Sequence, residues 1–284
     1  MTADDPFAVI SNGTLVSKKR RNSATEWHYK VKSPMATYLA TMQIGEFTQF
    51  KLGRNTTAWA PGHLRARVLE EFKQQQEMLD FYESLFGEYP FPDYQVVITE
   101  DELEIPLEAQ GLSIFGSNHI AGNHRFERLI AHELAHQWFG NSVGISEWKD
   151  IWLNEGFACY CEWLWVEHKG TDSAHSVARS HYLVLSRKAQ NLHLADPGAH
   201  DMFDDRVYKR GAITIHALRR LLGDEAFFDA VRNYLHAGRN STVMPKDFFG
   251  HIDDAALKAG VSLDEVAELF DVWLNHKQLP KFPA

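Results

Sequence analysis

The chain has 284 residues and a formal net charge of −9 at pH 7, from 38 acidic and 29 basic side chains. Its composition, 44% hydrophobic and 24% charged, excludes a collagen-like or wholly disordered chain. The negative charge argues against nucleic acid or an anionic membrane as the main partner. No apolar run approaches the ~18 residues that span a bilayer. No signal peptide is visible, so we expect a cytoplasmic location. We also expect a monomer.

The first sixty residues are predicted to be extended. Residues 36–44 and 47–52 have the composition of β-strands and are separated by Gly45. The basic residues 18–21 follow a short predicted strand at 14–16. We interpret this basic cluster as an exposed hairpin tip rather than as a site for a phosphate or a partner.

The rest of the chain is predicted to be mainly helical. Apolar residues recur at helical spacing from Leu64 to Leu85, and two short strands are predicted at 94–99 and 112–115. Further helices are predicted at 124–139, 153–168, 174–190, 208–221, 225–236, 246–258 and 263–275. Strands that come first and helices that follow are typical of an α+β fold, not of repeating βαβ units.

One predicted helix carries two histidines four residues apart, His132 and His136. On an α-helix such residues are rotated by only about 40° and lie one turn apart, so both imidazoles can reach one metal ion. Glu133 is adjacent and could act as a general base on a water bound there. The pattern alone can arise by chance, so a further ligand is needed to support it.

Glu155 is the candidate for that ligand, because a catalytic zinc ion needs three protein ligands and one open position. Eighteen residues separate it from His136, enough for the chain to turn back. The alternative is a solvated carboxylate at a helix start, favoured by the helix dipole. Its neighbours Trp152 and Phe157 are apolar, and a buried carboxylate needs a cation. We therefore predict one zinc ion as cofactor.

The two segments together resemble the aminopeptidase N family of gluzincin zinc metallopeptidases, which includes leukotriene A4 hydrolase. The resemblance rests on residues 132–141 and 152–158, with shorter matches at 11–13, 35–39, 89–92 and 208–212. It implies an α+β, thermolysin-like catalytic domain, with a small β-rich N-terminal part, a mostly helical lobe and the zinc ion in the cleft between them.

The resemblance also implies a domain organisation. Residues 1–46 would be the last strands of a truncated N-terminal β-domain, and residues 47–284 the gluzincin catalytic domain. The large C-terminal helical domain of the family would be absent.

Residue roles follow from the same resemblance. It implies that His132, His136 and Glu155 bind zinc, that Glu133 is the base and that Tyr208 stabilises the oxyanion. A phenol suits this role because it donates one hydrogen bond to developing negative charge. The alternative for Tyr208 is a core tyrosine. Asp150 is interpreted either as a helix N-cap or as an acceptor for a ring N–H of a zinc-bound histidine.

The substrate segment departs from the family pattern. Relatives carry the motif Gly-Ala-Met-Glu-Asn, whose glutamate holds the substrate's free α-amino group. In the aligned residues 105–111 only this glutamate is kept, as Glu108, and the Gly, Ala, Met and Asn positions have changed. The resemblance implies that Glu108 binds the amine, the alternative being one more solvated acid beside the acidic residues 100–104. Gly111 and Leu112 would start the edge strand that pairs with the substrate backbone.

The predicted function is zinc-dependent hydrolysis of peptide bonds, most directly removal of N-terminal residues from a peptide substrate. An endopeptidase or an epoxide hydrolase using the same zinc site remains an alternative. A different class is a catalytically weak, zinc-stabilised fragment that binds peptides. Glu133 argues against this class, because metal ligation alone does not require it.

Overall fold

The computed structural model describes every residue from Met1 to Ala284. The chain divides into two compact units, one formed by residues 1–84 and 88–137 and the other by residues 85–87 and 138–284. None of the helices has the length and apolar character needed to span a membrane. The predicted domain boundary at residue 46 stays a prediction.

The first unit begins with two small antiparallel sheets. Strand β4 (Ala24–Lys30) lies between β1 (Thr2–Asp4) and β3 (Thr14–Arg21), and β2 (Ala8–Ser11) pairs with β5 (Met42–Gly45). Val9, Ile10 and Trp27 are buried here. They share one hydrophobic cluster with Val97 and Leu112 of the neighbouring sheet, which anchors the N-terminal strands to the rest of this unit.

The basic residues 18–21 belong to the end of an exposed hairpin, as predicted, but they lie in its paired strand and not in its turn. Residues 18–21 form the second half of β3 and pair with residues 24–27 of β4. The chain turns at Asn22, whose φ of 56° lies in the left-handed region that asparagine tolerates. The basic side chains are accommodated because this strand is exposed, and the Lys18 ammonium lies 4.1 Å from the centre of the Trp27 ring.

Only the end of the strand predicted at 36–44 forms. Residues 37–39 make a 3₁₀ turn, and β5 starts at Met42. The Asn12 side chain explains this, because its Nδ2 donates to the Leu39 carbonyl at 3.0 Å and its Oδ1 accepts from the Thr41 amide at 2.6 Å. These bonds take up backbone groups that a strand would have used.

The long helix predicted from Leu64 to Leu85 is two helices, α1 (Arg65–Glu71) and α2 (Gln75–Phe86). The helical path breaks at Phe72, whose φ and ψ are −97° and 13°. Glu71 is buried at this break, and its carboxylate accepts from the amides of Gly122 and Asn123. The apolar residues keep their helical spacing across the break, so the sequence pattern did not reveal the break.

A four-stranded sheet forms the centre of the first unit. Its order is β6 (Phe47–Lys51), β7 (Thr56–Pro61), β8 (Tyr94–Ile98) and β9 (Leu112–Phe115), and only the β6–β7 pair is antiparallel. Strand β9 is buried along its whole length, as is usual for parallel strands. The helix α3 (Glu127–Ala135) follows it and ends earlier than predicted. Strand β7 lies mostly within the first sixty residues, which were predicted to be extended, but it was not predicted as a separate strand.

The second unit is mainly helical. Its elements are β10 (Val143–Ile145), α4 (Trp152–His168), α5 (Ala174–Leu185), α6 (Gly198–Asp201), α7 (Asp205–Leu222), α8 (Asp224–Ala237), β11 (Ser241–Val243), α9 (Pro245–Ala259) and α10 (Leu263–Phe270). A π-helical turn, Asp271–Asn275, follows α10. Side chains of Ser173, Asp204 and Ser262 accept backbone amides at the starts of α5, α7 and α10.

A chain of polar side chains, buried at Tyr160 and His216 and partly buried at His175, links α4, α5 and α7. The Tyr160 hydroxyl lies 3.1 Å from His216 Nδ1, and His216 Nε2 lies 3.1 Å from His175 Nδ1. His216 is only 2% exposed. Burial, reinforced by the positive charges of the neighbouring His175 and Arg219, lowers the pKa of His216 to about 3.

This low pKa predicts that acid destabilises the protein. An unfolded histidine takes up a proton near pH ~6.5, whereas folded His216 stays neutral down to about pH 3. The stabilisation is therefore complete above pH ~6.5 and is lost as the pH falls towards 3. We expect the urea midpoint to fall between pH 7 and pH 5, and to fall less in His216→Asn. The exposed control His200→Asn should behave like the parent, and an equal fall in all three would contradict the prediction.

Candidate metal centre

The two predicted histidines of helix α3 lie next to each other and are buried. Their ring centres are 4.7 Å apart, and His132 and His136 are 8% and 3% exposed. The His136 amide donates to the His132 carbonyl at 3.1 Å, so helical geometry continues to the second histidine. Glu133 is also buried, at 4% exposed. The two imidazoles are therefore held together by the backbone of one helix.

Side chains of the first unit form hydrogen bonds to the backbone of this helix. The Ser113 hydroxyl on β9 donates to the Glu133 carbonyl at 3.5 Å and accepts from the Tyr94 hydroxyl at 2.7 Å. The Tyr82 hydroxyl donates to the Ala131 carbonyl at 3.4 Å. Burial raises the pKa of Tyr94 well above its usual value; the negative charge of Glu133 adds to the rise and the Ser113 hydrogen bond opposes it.

Glu155 lies in the first turn of α4 and is 5% exposed. Its predicted apolar surroundings are present, since Trp152 and Phe157 are each 1% exposed. Asp150 does not cap this helix, because the N-cap is Ile151 and no side chain caps it. Asp150 is nevertheless buried, and burial raises its pKa. Its predicted role as an acceptor for a histidine ring N–H stays a prediction.

His132, His136 and Glu155 form a group that could hold a metal ion. Their ligand atoms all lie within 4.8 Å of one another, and all three residues are buried. Two imidazole nitrogens and one carboxylate oxygen are a ligand set of catalytic zinc sites, which leave one position open. The donor chemistry of these residues therefore fits a single zinc ion.

The segment that contains Glu108 lies against β9. Leu107 and Ile114 exchange two backbone hydrogen bonds, of 3.0 and 2.9 Å, as an antiparallel pair. Glu108 is half-buried, in contrast to the exposed acids Glu100 and Glu102. Gly111 has a φ of +74°, a left-handed backbone conformation that favours glycine at this turn into the strand.

Gln137 is a residue of this region that the sequence analysis missed. Its Oε1 accepts from the Gly111 amide at 2.8 Å, and its Nε2 donates to the Ala109 carbonyl at 3.3 Å. Gln137 follows His136 directly and is fully buried. Its amide therefore joins the end of α3 to the segment that contains Glu108. A polar side chain next to a predicted ligand was the available signal.

Tyr208 lies in the first turns of α7, which begins after the N-cap Asp204. The tyrosine is half-buried, unlike the fully buried tyrosines Tyr82 and Tyr94. This partial exposure favours a functional tyrosine over a core one, although its predicted role stays a prediction.

The sequence profile of the peptidase family M1 domain matches residues 70–273. The chain belongs to peptidase family M1. This membership confirms the predicted resemblance, and the M1 chain contains both the His-Glu-x-x-His segment and the helix α4 within the matched range.

Relatives of this M1 chain include aminopeptidases. It is 28% identical over 282 residues to a leucyl aminopeptidase of Saccharolobus solfataricus, covering 88% of this chain and 35% of that protein. It is 30% identical over 283 residues to aminopeptidase Ey of Gallus gallus, covering 87% of this chain and 28% of that protein. The chain thus spans about a third of the length of these relatives.

Solved structures confirm the predicted fold class. An M1 zinc metallopeptidase mutant of Deinococcus radiodurans bound to a Tyr-Ser-Ala substrate matches with a TM-score of 0.85 and 26% identity, over 100% of this chain and 64% of that one. Native yeast LTA4 hydrolase matches with a TM-score of 0.87 at 21% identity, over 100% of this chain and 47% of that one. At this identity the match shows the fold alone. The predicted enzyme class and zinc cofactor agree with this family.

Proposed function

We propose that this M1 chain is the catalytic part of a zinc aminopeptidase that removes N-terminal residues from peptides. The observation that carries the proposal is the buried group of His132, His136 and Glu155, with Glu133 next to the first histidine on the same helix. The residues that would hold the zinc ion are these three. When bound, zinc polarises a substrate carbonyl and makes water more acidic.

The proposed chemistry of the chain itself begins at Glu133. Its carboxylate takes a proton from the attacking water and passes it to the leaving amine, which are the two tasks of a general base and acid in peptide hydrolysis. Glu133 is buried beside the proposed zinc ligand His132, so it can be held close to a water at the open position of the metal. Tyr208 would donate a hydrogen bond to the developing oxyanion.

The proposed preference for a free N-terminus rests on Glu108. A carboxylate near the start of β9 can pair with the α-ammonium group of a peptide, while Gly111 and Leu112 offer backbone groups to the peptide chain. Gln137 supports the arrangement because it fixes the backbone on both sides of Gln110. The free amine then sets which bond is cut, namely the first one.

The experiment that tests this function is product analysis by mass spectrometry. The zinc-loaded chain is incubated with a mixed-sequence decapeptide carrying a free N-terminus, with and without a chelator. We expect single residues to be released in order from the N-terminus, and chelation to stop their release. Internal cleavage would support an endopeptidase and contradict the amine anchor.

A further inference from the structure

A buried arginine follows Tyr208 by two residues. Arg210 is only 3% exposed, and the acceptors of its hydrogen bonds are all backbone carbonyl oxygens. They belong to Leu192, Val272, Trp273, His276 and Lys277. Burial without a neutralising carboxylate lowers the pKa of Arg210 to about 10, which leaves it charged at neutral pH.

Most of these carbonyls belong to the end of the last helical segment. Val272 and Trp273 lie in the π-helical turn Asp271–Asn275, and His276 and Lys277 follow it directly. The last carbonyls of a helix have no partners within it, and a cation there also suits the helix dipole. Arg210 Nε donates to the Trp273 carbonyl at 2.8 Å and Nη1 to that of Lys277 at 3.1 Å. The guanidinium therefore ties the start of α7 to this helix end.

The next residue along this turn, Gly211, is fixed by a backbone contact with another helix. A Cβ atom built on Gly211 would lie 3.0 Å from the Gly156 Cα and 3.2 Å from the Trp152 carbonyl oxygen. A Cβ atom built on Gly156 would lie 2.9 Å from the Gly211 carbonyl carbon. Helices α4 and α7 thus touch at two glycines, with no room for a side chain.

Tyr208 precedes both of these fixed residues on the same helix. It stands two residues before Arg210 and one helical turn before Gly211, so both fix the backbone from which its side chain extends. A misplacement of a catalytic group by about 1 Å can lower the rate ~10²-fold, so holding the backbone of Tyr208 in place affects the rate.

We propose that Arg210 and the Gly156–Gly211 contact are positioning elements for Tyr208, holding its phenol where the oxyanion develops. The inference rests on the proposed role of Tyr208. It does not make Arg210 a catalytic residue, because the guanidinium is occupied by backbone carbonyls. Its function would be exerted through the tyrosine.

The test is a double-mutant cycle in the zinc-loaded chain. The variants are Arg210→Lys and Tyr208→Phe, alone and together, with kcat and KM measured on a free-amine peptide. Lysine keeps the charge, but its three rotatable donors cannot reproduce the fork of five N–H groups. We expect Arg210→Lys to lower kcat about tenfold with KM nearly unchanged, and to have less than about a twofold effect when Tyr208 is already phenylalanine.

A matched control is Arg220→Lys, since Arg220 lies on the same helix and donates to a single carbonyl, that of Ala284. It should leave kcat unchanged. Equal kcat losses from Arg210→Lys in both backgrounds would overturn the inference while leaving the role of Tyr208 intact. No effect of Tyr208→Phe would remove the proposed role and the inference together.

A second measurement covers the case in which turnover is lost altogether. Hydrogen exchange of the backbone amides at residues 205–210 should rise in Arg210→Lys, and should stay unchanged in helix α9. The glycine contact is tested by Gly211→Ala against Gly250→Ala, where an added Cβ meets nothing within 4 Å. The exchange of α9 serves as an internal reference for Arg210→Lys and Gly211→Ala, and only residues 205–210 are compared in Gly250→Ala, because Gly250 lies in α9. Unchanged exchange at 205–210 in both Arg210→Lys and Gly211→Ala would contradict the inference.

Discussion

Replacing Glu133 with glutamine should lower kcat by about 10²- to 10⁴-fold, the range that a positioned general base contributes. The substitution keeps the shape of the side chain but removes its ability to accept a proton. Because Glu133 is not one of the three proposed ligands, zinc content should stay the same. The measurement is kcat on a free-amine peptide, with metal content determined on the same sample.

The matched control for this variant is Glu127→Gln. Glu127 stands in the first turn of the same helix, α3, so the two changes are chemically identical and differ only in place. The control should retain its turnover. Retained turnover in Glu133→Gln would exclude Glu133 as the base, and loss of zinc from that variant would mean that it contributes to metal binding instead.

Replacing Glu155 with alanine should abolish zinc binding at micromolar metal. A site with two imidazoles alone lacks the third ligand and the negative charge that offset the cation. In the parent, zinc at 100 times its Kd should stabilise the fold by about 2.7 kcal/mol, because the metal binds the native state preferentially. This gain should be missing in the variant.

The readout is the thermal unfolding midpoint with and without added zinc. Glu147→Ala is the control, since Glu147 is an exposed carboxylate a few residues before α4 and pairs with Lys149. It should show the full zinc-induced rise of the midpoint. A full rise in Glu155→Ala would exclude that residue as a ligand.

Most helices of the second unit were predictable because they bury apolar residues at helical spacing, whereas α6, which has four residues and buries none, was not predicted. Side chains of Ser173, Asp204 and Ser262 cap three of them, as their residue types suggest. The ligand spacing was equally readable, since His132 and His136 must lie on one face of any helix that contains them.

The parts that sequence could not supply depend on contacts between distant residues. Nothing in the sequence around Phe72 shows that the helix breaks there, because Glu71 binds amides at Gly122 and Asn123, which lie far along the chain. The strand at 18–21 was missed because its charges suggest a loop, while its pairing with β4 decides the conformation.

The same limit applies to the site. The residues that bear the chemistry have typical spacings, but the residues that hold them do not. The position of Gln137 next to His136 was a weak signal, and its role became clear from its hydrogen bonds to Ala109 and Gly111. Arg210 reaches carbonyls more than sixty positions away, a partnership that no local pattern encodes.

The most direct test of the central proposal compares one short peptide in two forms, free and acetylated at its N-terminus, with zinc content measured on the same protein sample. The proposal predicts about one zinc ion per chain, as the three-ligand site implies, and cleavage of the free form alone. A zinc-loaded protein that cuts both forms equally, or cuts neither, would contradict it.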